Sequence, residues 1–419
     1  MSEANPPLIS WFRRLGPGLI TGAADDDPGG IATHSQVGAQ FGFSLMWTVA
    51  LTYPLMTAIQ AICARIGRVT GEGLAANMAH VLPRWLVHVI VALLFVANTV
   101  NIGADLAAMG AAARLVLGWG EIAFAVVFAA GSMLLQVFVP YHRYVHVLKW
   151  LTLSLLAYVG VVFSVAFDWG AVVRGVFWPS LTFSREAMVA IVAVFGTTIS
   201  PYMFFWQSAE EVEDEVLAGD GSLLDHPEQA TAELGRIAWD TYVGMGFSSL
   251  ISFFIVLTTA VTLHSAGITD IATSADAAQA LRPIAGEFAF LLFSLGVIGT
   301  GLLALPVLAG SAAYAIGELR GWRIGLEQKP ENAKAFYGVI AVAFAVGLLM
   351  LFLPIDPIKA LFWSAVLNGL IAVPLMVATM IVVSNRKYLG PFVAPLGLKI
   401  MGWLATAVMS AAALAMFVL

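Results

Sequence analysis

Residues 23–30 read Ala23-Ala24-Asp25-Asp26-Asp27-Pro28-Gly29-Gly30, three carboxylates and a helix-breaking Pro-Gly-Gly set into an otherwise apolar stretch. Arg14 marks one edge of that stretch, and Asp25 stands eleven residues beyond it. At helical rise this is about 16 Å, near the middle of a hydrocarbon core roughly 30 Å thick. A carboxylate at that depth costs about 2.5–3.5 kcal/mol on insertion scales and persists only in a cavity, beside a partner. No Lys or Arg falls between Arg14 and Arg65, so the expected partner is a bound cation. Pro28 and Gly29 end the helix and leave carbonyl oxygens of its last turn unpaired, at the end that carries partial negative charge. The competing reading is an extramembrane loop between two short helices. It leaves only about ten apolar residues for the first span, half of what a crossing needs.

The rest of the chain supports membrane depth. Of its 419 residues 60% are hydrophobic and 11% charged, against roughly 25% charged in soluble domains. Apolar runs predict eleven spans, at 17–42, 44–66, 84–112, 120–139, 144–167, 186–209, 237–263, 286–317, 335–354, 358–384 and 397–418. With residues 1–16 in the cytoplasm, fifteen of the twenty Lys and Arg fall in the inner segments and five outside. That bias places the N-terminus inside and the C-terminus outside. The expected location is a bacterial inner membrane, with lipid as the surrounding partner. A second interruption, Gly196-Thr197-Thr198-Ile199-Ser200-Pro201-Tyr202, lies in the sixth span. Five spans separate the two breaks, so residues 17–167 (helices 1–5) and 186–384 (helices 6–10) read as two repeats, with 397–418 as an additional helix. Interrupted helices in corresponding positions of two halves are the best sequence pointer to a transporter's binding site.

Other functions find little footing. The lone Cys63 makes an intramolecular disulfide impossible and argues against a zinc–thiolate site. There is no basic cluster for nucleic acid, no GxxxxGK[ST] loop for ATP, and no nucleophile–base pair of an enzyme. No cleavable signal peptide is evident.

Gly16-Pro17-Gly18, Asp27-Pro28-Gly29, Gln40-Phe41-Gly42, Ala64-Arg65-Ile66-Gly67 with Thr70-Gly71, and Asp105-Leu106-Ala107 stand in an order and spacing that resembles the Nramp family of divalent metal transporters. The resemblance covers most of the chain. It implies an all-α membrane protein of the leucine-transporter type, with two inverted five-helix repeats and helices 1 and 6 unwound at the substrate. The departures refine this. Where the family motif is Asp-Pro-Gly-Asn the fourth residue here is Gly30, and where it is Met-Pro-His this chain has Ser200-Pro201-Tyr202. Replacing a soft methionine by serine leaves an oxygen site that favours Mg2+ or Mn2+. Losing the Asn and Met side chains widens the pocket enough for a partly hydrated ion. The family's helix-6 histidines fall on Tyr202 and Gln207 and its helix-3 glutamate on Asn98, so obligatory proton coupling is not expected. This pattern looks like the Nramp-related magnesium transporters.

The expected metal site is therefore Asp27, the principal carboxylate, with Ala24, Gly30, Thr197, Ser200 and Tyr202. Asp25, Asp26, Asn368, Asp105, Asn98 and Gln207 are candidates for lining the pocket or acting through water. For Thr197, Ser200 and Tyr202 the plain alternative is a helix kink with locally satisfied hydroxyls, and for Asn368 and Asn101 it is a helix–helix hydrogen bond. The acidic run Glu210–Glu215 reads either as a cation-concentrating inner mouth or as a solvated loop. Asp240 reads as interfacial and His34 as a packing residue, and a metal site at His142 and His146 is disfavoured. The expected protein is a transporter that uses the metal as cargo and needs no cofactor. The readings left open are a proton-coupled Mn2+/Fe2+ transporter of ordinary type, an amino-acid or organic-cation carrier, and a metal sensor that does not transport. The sequence sets no oligomeric state.

Overall fold

The computed structural model describes residues 21–22, 24–140, 143, 148, 150–178 and 184–419. The N-terminal segment 1–16, the start of the first span, and His142 and His146 lie outside the described residues. The described elements are helices, with no strand among them. In chain order they are α1 (Pro28–Phe41), α2 (Met46–Thr70), α3 (Leu74–Val81), α4 (Arg84–Leu117), α5 (Glu121–Phe138), α6 (Leu156–Ser164), α7 (Trp169–Phe177), α8 (Arg185–Thr198), α9 (Pro201–Ala218), α10 (Ala230–Thr262), α11 (Ala289–Arg320), α12 (Lys334–Leu349), α13 (Pro357–Val383) and α14 (Leu396–Val418), with several one-turn helices between them.

Nine helices among the described residues are long and apolar enough to cross a membrane, counting α8 and α9 as one broken crossing. They correspond to nine of the eleven expected spans. The first span is a broken helix whose second half is α1, and the fifth is represented by a 3-10 turn, Leu151–Leu155, that runs into α6. The sequence reading missed two short elements. The first, α3, is tied down by Glu318 of α11, whose Oε2 accepts from the backbone N–H groups of Ala75 (2.9 Å) and Ala76 (3.2 Å). The second is α7, capped by Asp168.

Both breaks have one local cause. The residue before a proline is pushed out of the helical region, and proline itself suits the first position of a new helix. Asp27 is extended (φ −67°, ψ 172°) and Pro28 opens α1. Ser200 is likewise extended (φ −76°, ψ 132°) and Pro201 opens α9. Each proline thus restarts a helix as well as ending one.

Polar residues collect inside this fold, and large apolar ones face outward. Trp85, Phe138, Phe163 and Trp178 are among the exposed hydrophobics, while Thr33, Gln60, Asn98, Asp105 and Ser248 are buried. Helices approach closely along seams of small residues, the usual device where lipid competes with side-chain packing. A Cβ added at Gly38 of α1 would stand 2.3 Å from the Val256 carbonyl oxygen of α10, and one at Gly196 of α8 would stand 2.0 Å from the Ala365 carbonyl oxygen of α13. Gly22, ahead of the first break, meets the Gly244 carbonyl oxygen of α10 at 2.3 Å by the same measure.

These contacts are with backbone and cannot yield cheaply. Gly38→Ala and Gly196→Ala should each destabilise by about 1–3 kcal/mol, read as a lowered unfolding temperature in detergent. Gly338→Ala in α12, where nothing lies within 4 Å of the added carbon, should leave that temperature unchanged or raise it. Equal behaviour of all three would show that the seams do not hold the bundle.

Candidate metal site

Asp27 is the hinge of the site. It is the N-cap of α1, and its Oδ1 accepts from the Gly30 N–H at 2.6 Å. Its other oxygen, Oδ2, faces the Tyr202 hydroxyl of α9 at 3.4 Å. The same hydroxyl lies 3.3 Å from the Ala24 carbonyl oxygen, so Tyr202 spans the first break from its carboxylate to its last helical turn. Gly30 marks where the two breaks meet. A Cβ there would lie 3.2 Å from the Asp25 carbonyl oxygen, 3.5 Å from Asp27 Oδ1 and 3.7 Å from Thr197 Oγ1. One point of the backbone therefore sees a carbonyl, a carboxylate and a hydroxyl from both interrupted helices. Ala24, Asp27, Gly30, Thr197 and Tyr202 are brought together, and all are at most 6% exposed where the side chain carries a polar atom.

Ser200 behaves differently from expectation. Its Oγ donates back to the carbonyl oxygens of Gly196 and Thr197, both at 2.7 Å. The carbonyls of the second break, expected to be unpaired, are thus engaged by the serine that follows them, and Ser200 offers a ligand only its lone pairs. The reason is the tight turn before Pro201, which returns the short side chain onto the preceding turn.

Asp25 and Asp26 point away from Asp27, toward α10. Ser248 Oγ lies 2.5 Å from Asp25 Oδ2 and 3.2 Å from Asp26 Oδ1. Asp105 of α4 is buried, with Oδ2 unpartnered. It sits one turn from Met109, which shares with Pro28 the space in front of Gly301 of α11. Three other candidates are committed elsewhere. Asn98 donates to the Leu308 carbonyl and to Ser311 Oγ, both at 2.8 Å, and so ties α4 to α11. Asn101 donates to Asn368 at 3.0 Å, tying α4 to α13. Gln207 Oε1 accepts from Thr21 Oγ1 at 2.6 Å. His34 is turned onto the Gly30 carbonyl through Nδ1 at 2.8 Å. Among the described residues no three His, Cys, Asp or Glu side chains converge as a metal cage. A cation here would have to draw on backbone and hydroxyl oxygens beside the carboxylate.

The acidic run is not a solvated loop. It forms the last turns of α9, where Glu210, Glu211 and Glu215 are buried. Arg236 pairs with Glu211 at 2.5 Å and with Glu233 at 3.0 Å, and Arg68 pairs with Glu215 at 3.1 Å and Glu233 at 3.5 Å. Gln207 Nε2 donates to Glu211 at 3.4 Å, linking this band to Thr21. Asp240, read as interfacial, is buried in α10. Sequence reasoning missed the pairing partners Arg68 and Arg236, which count there only among the basic residues of the inner segments. It also missed Ser248, whose signal was two serines at 248 and 252, one turn apart in an apolar span.

The Glu211 side chain is fully buried and Arg236 is the cation in contact with it. Removing one partner of a buried pair leaves an uncompensated charge and costs about 3–5 kcal/mol. Arg236→Ala should accordingly lower the unfolding temperature markedly, and Arg236→Ala/Glu211→Ala should recover part of the loss. A double variant worse than the single would refute the pairing.

Comparison with known proteins places this geometry. The family described as "Natural resistance-associated macrophage protein-like" (Nramp) matches residues 18–419. The divalent metal cation transporter MntH of Klebsiella pneumoniae strain 342 is 25% identical over 407 residues, 94% of this chain and 91% of that protein. A manganese transporter from Eremococcus coleocola has a solved structure that superposes with TM-score 0.77 at 16% identity, covering 99% of this chain and 88% of that one. Mhp1, a nucleobase-cation-symport-1 family transporter in a closed conformation, superposes with TM-score 0.59 at 15% identity, covering 96% and 91%. The fold is that of the leucine-transporter type, with helices 1 and 6 interrupted.

Proposed function

The chain belongs to the Nramp family, and from that membership we propose that it carries divalent metal cations across the membrane by alternating access, with Mg2+ as the main cargo, Mn2+ also accepted, and no obligatory proton coupling. It is an integral membrane transporter and not an enzyme. The observation that carries the metal reading is Asp27. Its carboxylate is buried beside two helix breaks whose carbonyl and hydroxyl oxygens converge at Gly30. An unwound helix pair of this kind is where transporters of such folds hold their ions.

The named relatives support a divalent cargo, since one is a divalent metal cation transporter and another a manganese transporter. Two features favour the harder ion. Position 200 presents a hydroxyl, and the donors near Asp27 are carboxylate, carbonyl, hydroxyl and phenol oxygens. Such donors suit Mg2+ and Mn2+ better than softer metals. Against proton coupling stand Tyr202 and Gln207 where the family has its helix-6 histidines, and Asn98, held by α11, where it has its helix-3 glutamate. In this reading 17–167 and 186–384 are the two inverted repeats, the N-terminus is cytoplasmic, and the membrane is a bacterial inner membrane. The band of Arg68, Arg236 and their glutamates then closes the cytoplasmic side in this state.

Proteoliposomes test this directly, by following uptake of Mg2+, Mn2+ and Ca2+ together with internal pH. Mg2+ and Mn2+ should enter without acidification in step with the metal, and Asp27→Ala should reduce uptake to the level of empty liposomes. Strictly coupled acidification would return the protein to proton-coupled Mn2+ transport. Full activity of Asp27→Ala would remove the site.

Hardness is tested separately. Ser200→Met should raise the preference for Cd2+ and Mn2+ over Mg2+ in competition uptake. An unchanged ratio would count against position 200 as the source of selectivity.

A further inference from the structure

The carboxylates of Asp25 and Asp26 turn to α10, although the Asp25 carbonyl oxygen stays beside Gly30. Asp25 ends the first helical half, Asp26 lies in the bend, and both carboxylates face α10. Ser248 Oγ lies within 3.2 Å of both of them. A hydroxyl has one hydrogen, so it satisfies one carboxylate and presents only an oxygen to the other. Ser252, one turn along α10, is also against Asp26. The remaining oxygen of Asp25, Oδ1, is buried and has no hydrogen-bond partner, and Asp25 and Asp26 are 4% and 3% exposed. None of the ion pairs among the described residues includes Asp25, Asp26, Asp27 or Asp105. With all four carboxylates ionised, one divalent ion at Asp27 offsets half of the charge and leaves the other half without a counter-ion, at a depth where charges need partners.

We infer that Asp25, Asp26, Ser248 and Ser252 form a second cation position, distinct from the one at Asp27, that takes a sodium ion. The inference rests on the divalent-carrier reading for its role, as the place of a co-bound ion, but its geometry is independent of Asp27. The donors are two carboxylates and two hydroxyls, all oxygen. Mg2+ gives up water reluctantly and would bring its shell into a space lined by side chains at most 4% exposed. An alkali ion sheds water more readily, and the end of a broken half-helix is a recurrent place for one. An ion here would also join the residues before the first break to α10.

Binding of 22Na+ to the purified full-length protein, and separately of Mn2+, tests this without relying on transport. The wild type should show one saturable sodium site per chain. Ser248→Ala and Asp26→Asn should each lose it, whereas Ser248→Thr, which keeps the hydroxyl, should retain it. Asp27→Ala should lose Mn2+ binding and keep the sodium site. In proteoliposomes, divalent uptake should be several-fold faster with external sodium chloride than with choline chloride. No saturable sodium binding, sodium binding unchanged in Ser248→Ala, or equal uptake in the two salts would overturn the proposal. Ser248-dependent sodium binding in a chain that moves no divalent ion would uphold this site and overturn the carrier reading instead.

Discussion

A carboxylate inside a membrane protein must be surrounded by something other than hydrocarbon, and much of this architecture follows from that need. Asp25, Asp26, Asp27 and Asp105 are all at most 6% exposed. What surrounds them is oxygen and amide nitrogen: the Gly30 N–H, the Tyr202 phenol, Ser248, and the backbone of the two breaks. Irregular backbone is tolerated at membrane depth only where protein or an aqueous cavity encloses it. Both breaks meet that condition, because α4, α10, α11 and α13 stand around them, with Asp105, Ser248, Gly301 and the Asn101–Asn368 bond on their inner faces. An Xaa–Pro step is an economical way to make such a break. It interrupts the helix for two or three residues, and the next helix starts at once with its first turn preset.

The two breaks are alike in backbone and unlike in chemistry. At the first, the residue before proline is Asp27, whose side chain caps the helix ahead and keeps one oxygen for the space between the halves. At the second it is Ser200, whose side chain turns backward onto the carbonyls behind. The first break therefore gathers negative charge and the second consumes it. A cation placed between them is drawn toward Asp27, with Thr197 and the Asp25 carbonyl reached across Gly30. The glycine is what allows this approach, since a Cβ would already crowd the Asp25 carbonyl at 3.2 Å. The family's asparagine at this position would need the two halves further apart.

Much of this was legible in the sequence because it depends on short-range signals. Hydropathy over some twenty residues fixes a span, so nine of the expected spans recur as membrane-length helices among the described residues, and the first and fifth recur in part. Pro28 and Pro201 break helices wherever they stand, so both interruptions were visible. Asp27, Thr197 and Gly30 were readable as neighbours only through the pairing of breaks. What could not be read depends on side-chain rotation or on which helices touch. The direction of the Ser200 hydroxyl is set by a turn of four residues. Arg68 and Arg236 find Glu215, Glu211 and Glu233 only once α2, α9 and α10 are side by side. By composition alone a glutamate-rich run looks solvated, and Asp240 looks interfacial. Ser248 was passed over because a serine in an apolar helix usually bonds its own preceding turn, as Thr258 and Thr259 of the same helix partly illustrate: Thr259 bonds Ile255 and Val256, whereas Thr258 reaches Tyr158.

α10 touches both halves of the first span by different means, and this bears on which half moves. The second half packs at Gly38 against the Val256 carbonyl and the Thr259 hydroxyl, a fit without charge. The first half meets α10 at Gly22–Gly244 and through Asp25 and Asp26 on Ser248, and it meets α9 through Thr21 and Gln207. Displacing either half would undo a close glycine contact with α10, and displacing the first would also uncover two carboxylates. Packed seams resist sliding, while polar contacts exchange for water wherever water enters. Of the two halves, the described part of the first is the one whose contacts with α10 include carboxylates.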